Sequence, residues 1–273
     1  MWTAIGNAVT GTSHEEVGRG CEDSFGWQIG VDRVALAVAD GAGSRSHSDI
    51  GSHAAVSAIL DWAHTSLPSA DGSGLIRGFE RVREALGDVA GRTPCEFDDL
   101  ATTLGVVAVG PDVVEVGQIG DTIIVLMLDD GSLVMPSPPE SFEYVNETVF
   151  VTADSALSHL RIDTYPAADV QAAALSTDGL RFKILGDLTT YEPFAPFFDD
   201  IFNYARTDGS NNAAVGRFLS GLDDQSGDDK TLVIGVKSAA GAPDADLPSG
   251  QAVIGPERAL TGADCSVHEP SPD

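Results

Sequence analysis

The sequence predicts an α+β domain in which antiparallel sheets are covered by helices in layers. Apolar runs such as Val34–Ala39 have no polar interruption and end at an Asp-Gly, which is the pattern of a strand buried on both faces. Helical periodicity comes in two pairs, one before and one after a long stretch of strands. The order also lacks the regular strand–helix alternation of a doubly wound parallel sheet, so layered antiparallel sheets fit better.

Taken in order, Thr3–Val9 and Phe25–Ile29 are short alternating strands, followed by Val34–Ala39. A helix runs from Asp49 to about Ser66, with Ala54, Ala55, Ala58, Ile59 and Trp62 at helical spacing. A second spans roughly Leu75–Val89, apolar at Leu75, Ile76, Phe79, Val82 and Leu86. Thr103–Val109, Val113–Ile119 and Thr122–Leu128 are strands separated by Gly-Pro-Asp and Gly-Asp turns, which predicts a meander of three neighbours. Weaker strands follow at Val149–Thr152, Leu160–Thr164 and Ala172–Ser176. Phe194–Ala205 and Ala213–Leu219 read as helices, and Lys230–Val236 as a last strand. Trp62, Phe79 and Phe97 are core aromatics by spacing, and Phe194, Phe197 and Phe198 pack a helix on a sheet. Ser48 or Asp49 is expected to cap the helix that His47 and His53 flank. After Ser238 the composition shifts to Ala, Gly, Pro, Asp and Ser, so residues 1–238 form one domain and 239–273 a disordered tail.

A chain of 273 residues buries a substantial core without disulfide or metal staples. No stretch approaches the roughly 18–20 apolar residues of a spanning helix, and the N-terminus has neither the basic nor the apolar region of a signal peptide. The 42 acids against 15 Lys and Arg leave a net charge of −27, a field that repels phosphate backbones and anionic membranes. Nucleic-acid and membrane partners are thereby excluded, and mutual repulsion favours a monomer. Few Lys, with Asp outnumbering Glu, is the composition of a surface adapted to concentrated salt; compositional drift is the alternative. Cys21, Cys95 and Cys265 show no paired spacing, as expected of reduced thiols in a cytoplasm. Acids beside Cys21 raise its pKa and make it a poor nucleophile.

Five acidic clusters share one local grammar: each lies at the edge of an expected strand, beside Gly or another acid. They are Glu22-Asp23, Asp40-Gly41, Gly120-Asp121, Asp178-Gly179 and Asp228-Asp229. Any one Asp-Gly is simply a turn. Gathered at one sheet edge, five would repel one another unless protonated or bridged by cations. An oxygen-only set selects hard ions such as Mg²⁺ or Mn²⁺ over Zn²⁺. Two such ions activate water and clamp a phosphoryl group for in-line attack. A calcium loop is disfavoured because no D-x-D-x-D-G run occurs.

Glu22-Asp23-Ser24, Val38-Ala39-Asp40-Gly41-Ala42-Gly43-Ser44 and Ala101-Thr102-Thr103-Leu104 stand in the order seen in the metal-dependent PP2C (PPM) protein phosphatases. Gly120-Asp121, Ser176-Thr177-Asp178-Gly179-Leu180 and Asp228-Asp229-Lys230-Thr231-Leu232-Val233 continue it. Gly11-Thr12-Ser13-His14 and Glu143-Tyr144-Val145-Asn146-Glu147-Thr148 resemble a bacterial branch. The resemblance covers about residues 1–237. It implies an α/β/β/α sandwich of two antiparallel sheets flanked by helix pairs, with two Mn²⁺ or Mg²⁺ ions in a cleft at one end. Asp40 would bridge both ions and the Gly41 carbonyl would bind one. Glu22 would hold the second ion, Asp178 and Asp228 would complete the first, and Asp121 matches a third, weaker site. Asp23 would orient a metal-bound water, and Asp229, where many relatives carry Asn, ranks below Asp228 as a ligand.

The implied reaction is direct attack of a metal-bridging hydroxide on a phosphoserine or phosphothreonine phosphorus, without a covalent intermediate. The partner is a phosphorylated protein, the counterpart of a serine/threonine kinase. The resemblance has two departures. Ala42 stands where animal members carry a His proposed as general acid. Arg19 stands three residues before Glu22, where the family's phosphate-binding Arg stands four before, and Arg45 is a competitor for that role. His14 is expected to be an exposed loop histidine. A pseudophosphatase that binds phosphoproteins without turnover is the rival reading, against which the intact acid set argues.

Overall fold

The computed structural model describes residues 1–136, 138, 148–208, 211–238 and 252–255. In chain order the strands are β1 (Trp2–Val9), β2 (Ser24–Ile29), β3 (Val34–Ala39), β4 (Leu104–Val109), β5 (Val113–Ile119), β6 (Ile123–Leu128) and β7 (Leu133–Val134). They continue with β8 (Arg161–Pro166), β9 (Val170–Ser176), β10 (Leu185–Asp187), β11 (Glu192–Pro193), β12 (Lys230–Lys237) and β13 (Val253–Ile254). The helices are α1 (Thr12–Glu16), α2 (Ser48–Thr65), α3 (Ser73–Arg92), α4 (Arg181–Ile184), α5 (Ala195–Asp208) and α6 (Asn212–Ser220).

Two antiparallel sheets stack face to face, one ordered β1-β12-β9-β6-β7 and the other β13-β2-β3-β4-β5-β8. The side-chain period of two explains the layering. In β3, Ala35, Ala37 and Ala39 face the pair α2–α3, while Val34, Leu36 and Val38 face the opposite sheet. The small alanines let α2 lie close, and Ile59, Leu60, Phe79 and Leu86 fill that outer core. Across the sandwich Ile5, Val125, Leu232 and Ile234 turn outward to Phe198, Phe202, Val215 and Leu219 of α5 and α6. The result is the expected α/β/β/α sandwich. Trp62 and Phe79 are core residues as expected; Phe97 is only partly buried, and Phe194 is exposed while Phe198 is buried.

Several sequence expectations change. The three-strand meander breaks after β5: β4 pairs with β5, but β6 joins β9 in the other sheet. Gly120 at φ 100° makes the corner, a conformation that costs an L side chain and that lets the chain cross between sheets. Val149–Thr152 forms no strand, because its backbone is spent on a single tie from Val151 N–H to the Thr102 carbonyl (2.8 Å). Neither Ser48 nor Asp49 caps α2. The N-cap position is His47, without a side-chain cap, and the Ser48 hydroxyl instead donates to Glu22 (3.1 Å). Within the expected tail, Val253 and Ile254 pair with Trp27 and Gly26 at the outer edge of β2, because that edge offers unpaired backbone groups. The rest of 239–273, including Cys265, lies outside the described residues, as do Glu143 to Glu147.

Candidate metal-dependent active site

The acidic residues meet at one end of the sandwich, supplied by both sheets. Glu22 and Asp23 precede β2 and Asp40 follows β3, all in the six-stranded sheet; Asp178 follows β9 and Asp228 precedes β12 in the other. Asp121 sits at the corner where the chain passes between them. The two acidic loops of the five-stranded sheet touch through backbone: a Cβ at Gly179 would stand 1.9 Å from the Asp229 carbonyl oxygen. Only glycine permits that approach, which brings Asp178 next to Asp228.

Neighbouring polar groups fix each side chain. The Asp40 carbonyl accepts from Thr102 Oγ1 (2.9 Å) and from Thr103 N–H (2.9 Å), while Asp40 N–H donates to Thr103 Oγ1 (3.0 Å). Gly41 bridges to Thr102. The paired threonines that a strand start alone would explain therefore hold the Asp40 turn. Asp23 Oδ2 accepts from Thr177 Oγ1 (2.7 Å) and Thr231 Oγ1 (2.6 Å). Glu22 Oε1 lies 3.0 Å from Arg19 Nε, and the Glu22 carbonyl accepts from Ser52 Oγ (2.6 Å). Thr148 Oγ1 donates to Asp121 Oδ2 (2.8 Å), and Asp229 N–H donates to Asp228 Oδ1 (2.9 Å).

Electrostatically the site is poised to gain positive charge. Burial first, then the charges of Asp23, Asp178, Asp228 and Asp121, holds the Asp40 carboxyl well above the usual carboxylate range. Burial, followed by Asp229, does the same to Asp23. Asp178 is pushed up to about 6 by burial, then by Asp121 and Asp228, with Arg181 opposing. Burial also raises Glu22 against the pull of Arg19. Among the described residues no three His, Cys, Asp or Glu side chains form a ready-made cation cage. A hard divalent ion nevertheless fits the donor set, which is all oxygen and carries mutual repulsion that a cation relieves.

Sequence reasoning missed three features. Asp229 is a strut: its carboxylate accepts from Gly11 N–H (2.8 Å) and Glu22 N–H (2.6 Å). His14, expected in an exposed loop, is instead partly buried with Nδ1 3.0 Å from Asp229 Oδ1, because α1 folds its loop onto the acids. Arg181 reaches Asp178 Oδ2 (3.3 Å), a pair whose i,i+3 spacing was the available signal. Arg19 itself is held at the rim, donating to the Gly43 carbonyl and to that of Arg45 (3.1 Å), whereas Arg45 turns outward to Asp98 (3.8 Å). Burial and the charges of Asp23 and Asp229 push the Cys21 thiol up, so it is no nucleophile.

Residues 10–220 match the family model described as Protein phosphatase 2C. The chain belongs to the protein phosphatase 2C family. It is 30% identical over 250 residues to serine/threonine-protein phosphatase 3 of Escherichia coli (strain K12), covering 85% of this chain and 97% of that protein. The fold of this protein phosphatase 2C member is that of the serine/threonine phosphatase Stp1 from Staphylococcus aureus, with a TM-score of 0.62 at 15% identity over 88% of this chain and 96% of that one. The catalytic domain of the serine/threonine protein phosphatase PstP, solved with two manganese ions, superposes with a TM-score of 0.57 at 17% identity over 88% of this chain and all of that one.

Proposed function

We propose that this protein phosphatase hydrolyses phosphoserine and phosphothreonine in proteins by direct attack of water on phosphorus, with Mn²⁺ or Mg²⁺ as cofactor. The observation that carries the reading is Asp40, partly buried at a strand end in the repulsive field of Asp23, Asp178, Asp228 and Asp121. Asp40, Glu22, Gly41, Asp178 and Asp228 would hold two ions, and Asp121 would help hold a weaker third. When bound, such ions lower the pKa of water and neutralise the phosphoryl oxygens.

The chain's own residues do the rest. Asp23, anchored by two threonine hydroxyls, orients the attacking water and takes up its hydrogen bond. Arg19 is aligned on Glu22 and the 43–45 turn, where its guanidinium offers a fork to phosphate oxygens. No covalent intermediate forms, since neither Ser44 nor Cys21 serves as nucleophile. Among the described residues no helix is long and apolar enough to cross a membrane, and neither Cys21 nor Cys95 forms a disulfide. We read the enzyme as cytoplasmic and monomeric, with substrates set by a serine/threonine kinase. The −27 charge supports the absence of nucleic-acid and membrane partners.

The test is hydrolysis of p-nitrophenyl phosphate with millimolar Mn²⁺, Mg²⁺ or EDTA, beside Asp40→Asn. Turnover that requires both the ion and Asp40 is expected. An Asp40→Asn protein of full activity would sink the assignment. Absent turnover with ions bound and the fold intact would move it to the phosphoprotein-binding pseudophosphatase.

A further inference from the structure

A groove of about 670 Å³ opens beside the site, between residues 96–101 and 150–154. That volume lies in the range of true ligand clefts. Both walls are tied to the strand end that carries Asp40. The Ala101 carbonyl accepts Ala42 N–H (2.9 Å), and Val151 N–H donates to the neighbouring Thr102 carbonyl (2.8 Å). The groove therefore lies against the segment that holds the Asp40 turn.

Its chemistry is one-sided. Asp98, Asp99, Asp154 and Glu96 line it with one cation, Arg45, while Arg83 packs from outside the lining, 5.6 Å from the Phe97 ring centroid and donating to the Val151 and Ala153 carbonyls. Asp99 is already engaged, since its carboxylate accepts Glu96 N–H (2.9 Å) in a capping box. Among the described residues the Asp98 side chain is paired with Arg45 alone, at 3.8 Å, and both side chains are largely exposed. Asp154 is exposed. The partly buried Phe97 and Phe150 add an apolar surface. Acids above an aromatic surface suit a long basic side chain, whose stem lies on the rings while its head meets the carboxylates.

We propose that this groove receives the polypeptide flanking the phosphorylated residue and selects substrates with Lys or Arg close to the phosphoserine or phosphothreonine. The proposal rests on the phosphatase reading and names its substrate class. An extended chain advances about 3.3 Å per residue, so a basic residue two to four positions from the phosphate reaches roughly 7–13 Å from it. An acidic flank would face like charge there and be rejected.

The experiment measures fluorescence anisotropy of two labelled peptides carrying a non-hydrolysable phosphonate analogue of phosphoserine, one flanked by Lys and Arg, the other by Asp and Glu. The full chain is used, with Mn²⁺, at low and high salt. The basic peptide is expected to bind about tenfold tighter at low salt, with the margin shrinking as salt screens it. Asp98→Lys with Asp154→Lys, both at exposed positions, should abolish the preference. Equal affinities, or a preference that survives the double variant, would overturn the groove's role. Turnover of p-nitrophenyl phosphate, measured in parallel, reports on the metal centre alone. Its failure would therefore count against the phosphatase reading, while the groove's role is decided by the peptide affinities.

Discussion

His14 Nδ1 stands 3.0 Å from Asp229 Oδ1, and the same carboxylate accepts the backbone N–H groups of Gly11 and Glu22. One buried side chain thus gathers both ends and the middle of the loop that carries Arg19 and Glu22. Each carboxylate oxygen accepts one backbone N–H, and the His14 ring lies against the oxygen that Gly11 uses.

Asp229→Ala leaves two buried backbone donors unmet and should destabilise the chain by about 2–4 kcal/mol. It should also weaken Mn²⁺ binding, because Glu22 loses its anchor. Urea denaturation and titration calorimetry check the two effects. His14→Ala, which keeps both backbone bonds, should cost less than about 1 kcal/mol by the same measurement.

Gly179→Ala should disrupt the site with little change in hydrophobic burial. Its Cβ, 1.9 Å from the Asp229 carbonyl oxygen, would force the 178–180 and 228–229 segments apart. We expect Mn²⁺ affinity to fall by about tenfold or more, the loss that displaced ligand support typically brings. A calorimetric titration with wild-type affinity would refute this.

Metal-free protein should lose stability as pH rises from about 4 to 6. Asp178 is pushed up to about 6, and Asp40, Asp23 and Glu22 are also raised, each chiefly by burial. Unfolded, these groups titrate near 4, so in that window the folded state binds more protons than the unfolded one. Below about pH 4 both states are protonated and the contribution is fully present; it is lost as pH climbs through the folded values. Thermal melting in EDTA should show a Tm falling by several degrees across the window, and added Mn²⁺ should flatten or reverse the slope.

Glu115 is wholly buried in β5, where its Oε1 accepts Gly74 N–H (3.1 Å) and Ser69 Oγ (3.2 Å) at the start of α3. Glu115→Ala removes this cap from across the layer and should cost about 1–3 kcal/mol, whereas Glu115→Gln retains an acceptor and should cost less. Thermal denaturation of the two variants separates the outcomes.

Legibility in the sequence followed the range of the interaction that decides each feature. The continuous apolar run of β3 and the spacing of Ile59, Trp62, Phe79 and Leu86 are local patterns, and they located strand and helices. Partner choice is not local: β6 carries the same alternation whether it follows β5 or crosses to β9, and only the backbone at Gly120 decides. Two-residue strands such as β7 and β13 have no period to detect. In the site, the order of Glu22, Asp40, Asp121, Asp178 and Asp228 was readable because each sits at a strand end. The Asp229–His14 contact was not, since it depends on how α1 settles against those ends, whereas the i,i+3 pair of Asp178 and Arg181 is local and was open to reading.

The short β13 ladder has a consequence for any shortened form of the chain. Val253 and Ile254, with Gly255 N–H donating to the Phe25 carbonyl (2.9 Å), occupy the outer rim of β2. Trimming the chain at residue 238, where composition alone would place the domain's end, uncovers that rim and presents free donors and acceptors beside Phe25 and Trp27. Such an edge invites a strand from a second molecule, so the trimmed protein should self-associate and precipitate where the full-length chain stays dispersed.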